Sequence, residues 1–128
     1  MAARLAPLVL NTRGKQRLSI LIYHRVVHKR DFMRPDVPTV EEFEWQMRLL
    51  FENFTPLSLS DGLERMRLGS LPERAVCVTF DDGYADNELC ALPVLQKYRI
   101  PATVFVSTGF INGGRMWNDS VIESVRNF

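Results

Sequence analysis

Two cysteines in 128 residues, Cys77 and Cys90, are too few for a disulfide framework, and they lack the Cys-x-x-Cys spacing of a redox or zinc motif. Cys77 lies in an apolar stretch and reads as a small core residue rather than a reactive thiol. Histidine is equally scarce. His24 and His28 would stand about 13 Å apart on a strand, at roughly 3.3 Å per residue, too far to share one ion. His28, beside Lys29 and Arg30, reads as a solvated loop residue. Excess charge is missing too: 16 Lys and Arg face 15 Asp and Glu, for a net charge of +1. That balance removes the electrostatic case for nucleic acid or an anionic membrane surface as partner. No apolar run approaches membrane-spanning length, so no transmembrane segment is expected. No internal repeat or low-complexity segment is evident. Met1 to Leu10 carries a short apolar patch broken by Pro7, and Asn11 to Lys15 follows without a small-residue cleavage site. Residues 1–17 therefore read as an N-terminal arm, not a signal peptide, which points to a cytoplasmic location.

What is present is the alternation of an α/β domain. The 46% hydrophobic content suits a globular chain of at most one domain. Leu18 to Val27 is expected as a first strand. Thr39-Val40-Glu41-Glu42 has the spacing of a capping box and opens a helix with an apolar stripe at Val40, Phe43, Met47, Leu50 and Phe54. Pro56 to Leu59 suggests a short strand. Ser60 then caps a second helix carrying Leu63, Met66 and Leu68, with Gly69 as its stop. A third helix falls within Asp86 to Tyr98, started by Asp86 and Asn87 and kinked or restarted at Pro93. Ala102 to Ser107 forms another strand, and Val121, Ile122 and Val125 begin a further amphipathic helix. Strands alternating with helices imply parallel pairing.

The chemistry concentrates at Thr79-Phe80-Asp81-Asp82-Gly83-Tyr84, which follows the apolar run Ala75-Val76-Cys77-Val78. Adjacent carboxylates at a strand tip repel each other, and burial penalises both. Taken alone, Asp-Asp-Gly is open to two readings. One is a polar turn that ends a strand. The other is a metal-assisted hydrolase site, with one Asp as ligand and the other as base. A phosphoryl-transfer site fits poorly, because the adjacent pair lacks Asp-x-Asp spacing.

This hexapeptide resembles the first motif of the polysaccharide deacetylases, the NodB-homology carbohydrate esterases. Ile20-Leu21-Ile22-Tyr23-His24-Arg25-Val26 looks like the first strand of the branch related to poly-N-acetylglucosamine deacetylases, and Ile100-Pro101-Ala102-Thr103-Val104-Phe105-Val106 like the strand after the motif. The resemblance implies an α/β fold, an incomplete (β/α) barrel of the NodB-homology type, spanning residues 18–128. It implies Asp81 as catalytic base and Asp82 as ligand of a divalent metal, with zinc the expected ion. It places His24 at the active-site cleft, and His24 and Tyr84 are candidates for substrate contact. Asp81, Asp82 and His24 should meet at the C-terminal ends of neighbouring strands, where such barrels carry their sites. Trp117 and Asn118 could reach a sugar, although rim packing suits Trp117 better.

The implied function is removal of acetyl groups from N-acetylated, or less often O-acetylated, sugars of a polysaccharide. The family's second motif, His-Ser/Thr-x-x-His, supplies two further metal ligands and is absent from residues 1–128. A closed barrel takes more than about 200 residues. The expectation is therefore an N-terminal portion of a longer enzyme, inactive alone, with an open sheet edge prone to self-association. The alternative is a non-catalytic carbohydrate-binding remnant of the same fold.

Overall fold

The fold is built around one strand. In the computed structural model, which describes residues 16–127, β3 (Ala75–Asp82) is buried along Ala75 to Phe80. β1 (Leu18–Tyr23) runs parallel to it on one side, in register from Leu18 opposite Ala75 to Tyr23 opposite Phe80. The other side of β3 is shared. β2 (Thr55–Pro56) pairs at its start, opposite Ala75 and Val76, and β4 (Ala102–Val106) pairs further along, from Val78 to Asp82. All three pairings are parallel, as the alternating sequence implies.

Helices make the crossovers. α1 (Val40–Asn53) precedes β2, α2 (Leu59–Leu68) precedes β3, and a π-helical turn at Asn87–Ala91 leads into α3 (Leu92–Tyr98) before β4. α4 (Trp117–Arg126) follows β4. The two faces of β3 differ because successive side chains alternate. Val76, Val78 and Phe80 join Phe43, Met47 and Leu50 of α1 and Val94 and Leu95 of α3 in the core. Tyr23 caps this cluster, edge-on to Phe43 at 5.1 Å and stacked on Phe80 at 5.5 Å. Its hydroxyl donates to Gln46 Oε1 at 2.8 Å, and burial pushes its pKa up to about 12.

On the opposite face Cys77 meets α2. A Cβ added at Gly62 would lie 2.8 Å from Cys77 Sγ and 3.1 Å from Leu18 Cδ2. Gly62→Ala should therefore destabilise by about 1–3 kcal/mol through overpacking, although Ala is the better helix former. Chemical denaturation tests this, and Cys77→Ala in the same background should recover part of the loss.

The capping box is present in both directions: Glu42 N donates to Thr39 Oγ1 at 3.3 Å, and Thr39 N to Glu42 Oε2 at 2.9 Å. Gly69 ends α2 with φ of +68°, as expected of a left-handed cap. Elsewhere the structure departs from the sequence reading. β1 stops at Tyr23 rather than Val27, because the chain leaves the sheet at His24, and Val27 bridges to Thr39 instead. β2 is Thr55–Pro56, not Pro56–Leu59, since Ser58 is already a helix cap. Ser58, not Ser60, caps α2, accepting from Asp61 N at 3.2 Å. Leu63, Met66 and Leu68 are exposed, as α2 buries Gly62 alone. Phe54 lies just past α1 as its C-cap and is partly exposed. β4 ends at Val106, one residue short of Ser107.

Among the described residues, β1 and β4 each pair only with β3, so each has an open edge. Val104, Phe105 and Val106 of β4 are all exposed. Val104 and Val106 also border an apolar cavity of about 810 Å³ against Leu92 and Leu95 of α3. No helix among the described residues is long and apolar enough to cross a membrane. The expected arm, residues 1–17, lies outside the described residues except for Gln16 and Arg17.

Candidate active site

The two carboxylates stand at the C-terminal end of β3, both half-buried. Phe80, fully buried beneath them, fixes the height of the pair above the core. Alternation places Asp81 on the Cys77–Thr79 face of the strand. Asp82 then takes φ of +75° and Gly83 +71°, so the chain turns through two left-handed residues. Aspartate tolerates that region better than most residues. Gly83 is needed for a second reason: an added Cβ would lie 3.1 Å from Val106 Cγ1. β4 supports the turn from the side. Ser107 N donates to Asp82 O at 3.2 Å, and Ser107 Oγ donates to Asp82 Oδ1 at 3.1 Å.

His24 follows Tyr23, which is level with Phe80, so it lies at the same end of the sheet as Asp81. It is exposed, and its carbonyl accepts from Asn87 Nδ2 at 2.9 Å. A cleft of about 690 Å³ opens beside the turn, bordered by Asp82, Tyr84, Ser107, Phe110, Arg115 and Asp119 among others. Asp82 and Tyr84 border this cleft, whereas Asp81 and His24 do not. Among the described residues, no three His, Cys, Asp or Glu side chains gather as a metal site.

The surroundings of the turn are more charged than the motif alone suggests. Asp86 and Asn87 start the helical segment as expected, Asp86 without a side-chain capping bond, and both also tie down the chain just past β1. Arg25 Nε donates to Asp86 Oδ2 at 2.7 Å, and Val26 N to Asp86 Oδ1 at 3.4 Å. The Arg25 guanidinium lies 4.5 Å from the centre of the Tyr84 ring. Tyr84 donates its hydroxyl to Asp119 Oδ2 at 2.9 Å, and Asp119 Oδ1 takes Arg34 at 2.6 Å. Burial first, and then the bond to Asp119, push the Tyr84 phenol up from its ordinary range. Arg25, Arg34 and Asp119 escaped the sequence reading. Arg25 does lie within the Tyr23 to Val26 stretch, but nothing local marks the other two.

α4 docks through charge. The helix expected around Val121, Ile122 and Val125 is present; it buries Asp119 and leaves Val121, 55% exposed, and Val125, 60% exposed, turned away from the described residues. Trp117, 80% exposed, does not cover the rim. Arg34 reaches Glu123 at 3.5 Å, and Arg126 pairs with Asp31 at 2.5 Å. The Arg126 bond holds the Asp31 carboxyl below the usual aspartate range, aided by Met33 N and Arg34. A depressed folded-state pKa stabilises above the unfolded value and is lost as pH falls through the folded one. Docking of α4 should therefore weaken as pH drops below about 3.9, the ordinary aspartate value. Hydrogen exchange of the α4 amides against pH checks this, and Asp31→Asn should flatten the profile.

Residues 69–126, which include the carboxylate pair, match the family model described as polysaccharide deacetylase. The Bacillus subtilis (strain 168) protein YxkH, named for the polysaccharide deacetylases, is 37% identical over 101 residues, covering 76% of this chain and 34% of its own length. The chain belongs to the polysaccharide deacetylase family. A poly-β-1,6-N-acetyl-D-glucosamine N-deacetylase of Staphylococcus aureus (strain MSSA476) is 34% identical over 83 residues, or 64% of this chain and 29% of that protein. Two solved deacetylases agree with the fold. IcaB from Ammonifex degensii superposes with a TM-score of 0.59 at 33% identity, covering 70% of this chain and 37% of its own. The Streptococcus pyogenes deacetylase PplD, solved in complex with acetate, gives 0.62 at 29% identity, with 70% and 42% covered. This deacetylase-family chain thus spans about a third of the length of the curated relatives it matches. Its four parallel strands are a section of the family's α/β fold.

Proposed function

We propose that the full-length protein hydrolyses the acetamido groups of an N-acetylated glycan, releasing acetate and leaving a free amine. The observation that carries the reading is the Asp81-Asp82 pair at the C-terminal end of β3, within the region matched by the family model. The names of the relatives, poly-β-1,6-N-acetyl-D-glucosamine deacetylase among them, favour a β-linked N-acetylglucosamine polymer as substrate.

In this reading Asp81 takes the proton from the attacking water, and His24 contacts the sugar at the end of β1. The water oxygen joins the acetyl carbon, the carbon–nitrogen bond breaks, and the leaving nitrogen takes its proton from an acid outside the described residues. A divalent cation, zinc by expectation, would supply carbonyl polarisation and a water of lowered pKa. The described residues do not make that centre alone. They offer Asp82, steadied by Ser107, as one ligand, and the His-x-x-x-His pair would come from sequence following residue 128. A catalytic zinc takes three protein ligands. Residues 1–128 by themselves would then bind metal weakly and release no acetate. The open edge of β4 would favour self-association of that segment.

The test is acetate release by the full-length protein from β-1,6-linked N-acetylglucosamine oligomers, with divalent metal added and with chelator. Metal-dependent acetate and new amines are expected. No release from N-acetylated or O-acetylated glycans would overturn the reading.

A further inference from the structure

Tyr84 touches three parts of the molecule at once. It is two residues past Asp82, its ring lies against the Arg25 guanidinium at 4.5 Å, and its hydroxyl donates to Asp119 Oδ2 at 2.9 Å. Arg25 lies two residues past β1 and is itself held by Asp86 at 2.7 Å. Asp119 belongs to α4 and is its buried residue, 8% exposed. The single phenolic O–H is committed to Asp119, which leaves the oxygen only as an acceptor. A ring face covered by a guanidinium is not open for stacking on that side. The bond also matters to Asp119. Arg34 takes Oδ1, so Tyr84 is the partner that satisfies Oδ2. A buried carboxylate oxygen left without a donor is costly.

We propose that Tyr84 is a positioning residue that locks the Asp81-Asp82-Gly83 turn to the segment just past β1 and to α4. The lock is significant because both Asp82 and Gly83 sit in left-handed conformations that the surroundings must hold. Removing the hydroxyl would free α4 at the wall of the cleft and loosen the turn that aims both carboxylates. The kinetic half of this proposal rests on the deacetylase reading, and the structural half does not.

The experiment compares Tyr84→Phe, Asp119→Leu and the double variant of the full-length protein, with Asp119→Asn as a milder replacement. Amide hydrogen exchange reads the lock without any substrate. In Tyr84→Phe, exchange should speed by about tenfold in residues 83–86 and 117–126, the size expected for one lost hydrogen bond to a charged group, and stay unchanged in α1. Acetate release should show kcat down by about tenfold with KM within about twofold, the split expected when aim rather than binding is lost. Asp119→Leu also removes the Arg34 pair and should be the more severe single, and the double variant should be no worse than Asp119→Leu, because the Tyr84–Asp119 bond is already gone there. Unchanged exchange in Tyr84→Phe would overturn the lock. A raised KM with kcat retained would overturn the positioning role in favour of substrate contact. If the parent protein releases no acetate at all, the deacetylase reading fails, and the exchange data still decide the lock.

Discussion

In the full-length protein, Asp81→Asn should keep its metal and lose most of its turnover, whereas Asp82→Ala should lose both. The order of the two carboxylates carries the expectation. If Asp81 is the base, replacing it leaves the ligand set intact and removes the proton acceptor, a loss of roughly 10²–10⁴ in kcat. If Asp82 is a ligand, removing it takes a catalytic site from three protein ligands to two. The geometry adds a control. Asp82 has φ of +75°, so alanine there brings backbone strain of about 1–2 kcal/mol besides the lost ligand. Asp82→Gly relieves the strain and still lacks the carboxylate. Metal analysis of the purified variants, beside their melting curves, separates the effects. Asp82→Gly and Asp82→Ala should be equally metal-free, with Asp81→Asn fully loaded. A metal-free Asp81→Asn beside a loaded Asp82→Ala would reverse the two roles.

Much of the frame was legible because its signals are local. The Thr39–Glu42 box, the Gly69 stop and the buried run before Asp81 are each set by residues a few positions apart, and the structure has all three. Parallel pairing followed from alternation alone. What escaped the reading depends on contacts distant in sequence. β1 ends at Tyr23 because side chains some sixty residues away, Asp86 and Asn87, take the backbone groups of Val26 and His24. Ser58 and Ser60 are equivalent caps by composition, and the choice between them depends on where β2 releases the chain. The outward face of α4 is the clearest case. Val121, Ile122 and Val125 suggest an apolar stripe, yet Arg34, 85 residues from Asp119, turns the helix by its acidic side. Against the described residues, partly buried ion pairs set how α4 is turned, and a hydrophobic stripe in the sequence carries no sign of them.

The same division between core and site predicts the largest stability effect. Phe80→Ala should cost about 3–5 kcal/mol, the usual range for truncating a buried Phe. Domains of this size are stable by only about 5–15 kcal/mol, so the variant should be near or beyond its folding limit. Phe80 is 1% exposed and packs on Tyr23 at 5.5 Å and Phe43 at 5.9 Å, three aromatic rings joining α1, β1 and β3. It is also the residue before Asp81. A cavity there would remove the floor under the carboxylate pair, so even the milder Phe80→Leu should reduce activity more than its stability loss implies. Phe51 supplies the comparison: it is 58% exposed on α1, and Phe51→Ala should shift the denaturation midpoint only slightly. Denaturant titration of the three variants decides the matter. Equal midpoints for Phe80→Ala and Phe51→Ala would mean that the aromatic cluster does not anchor the sheet, and that the position of Asp81 and Asp82 is set from the β4 side, through Ser107 and Val106.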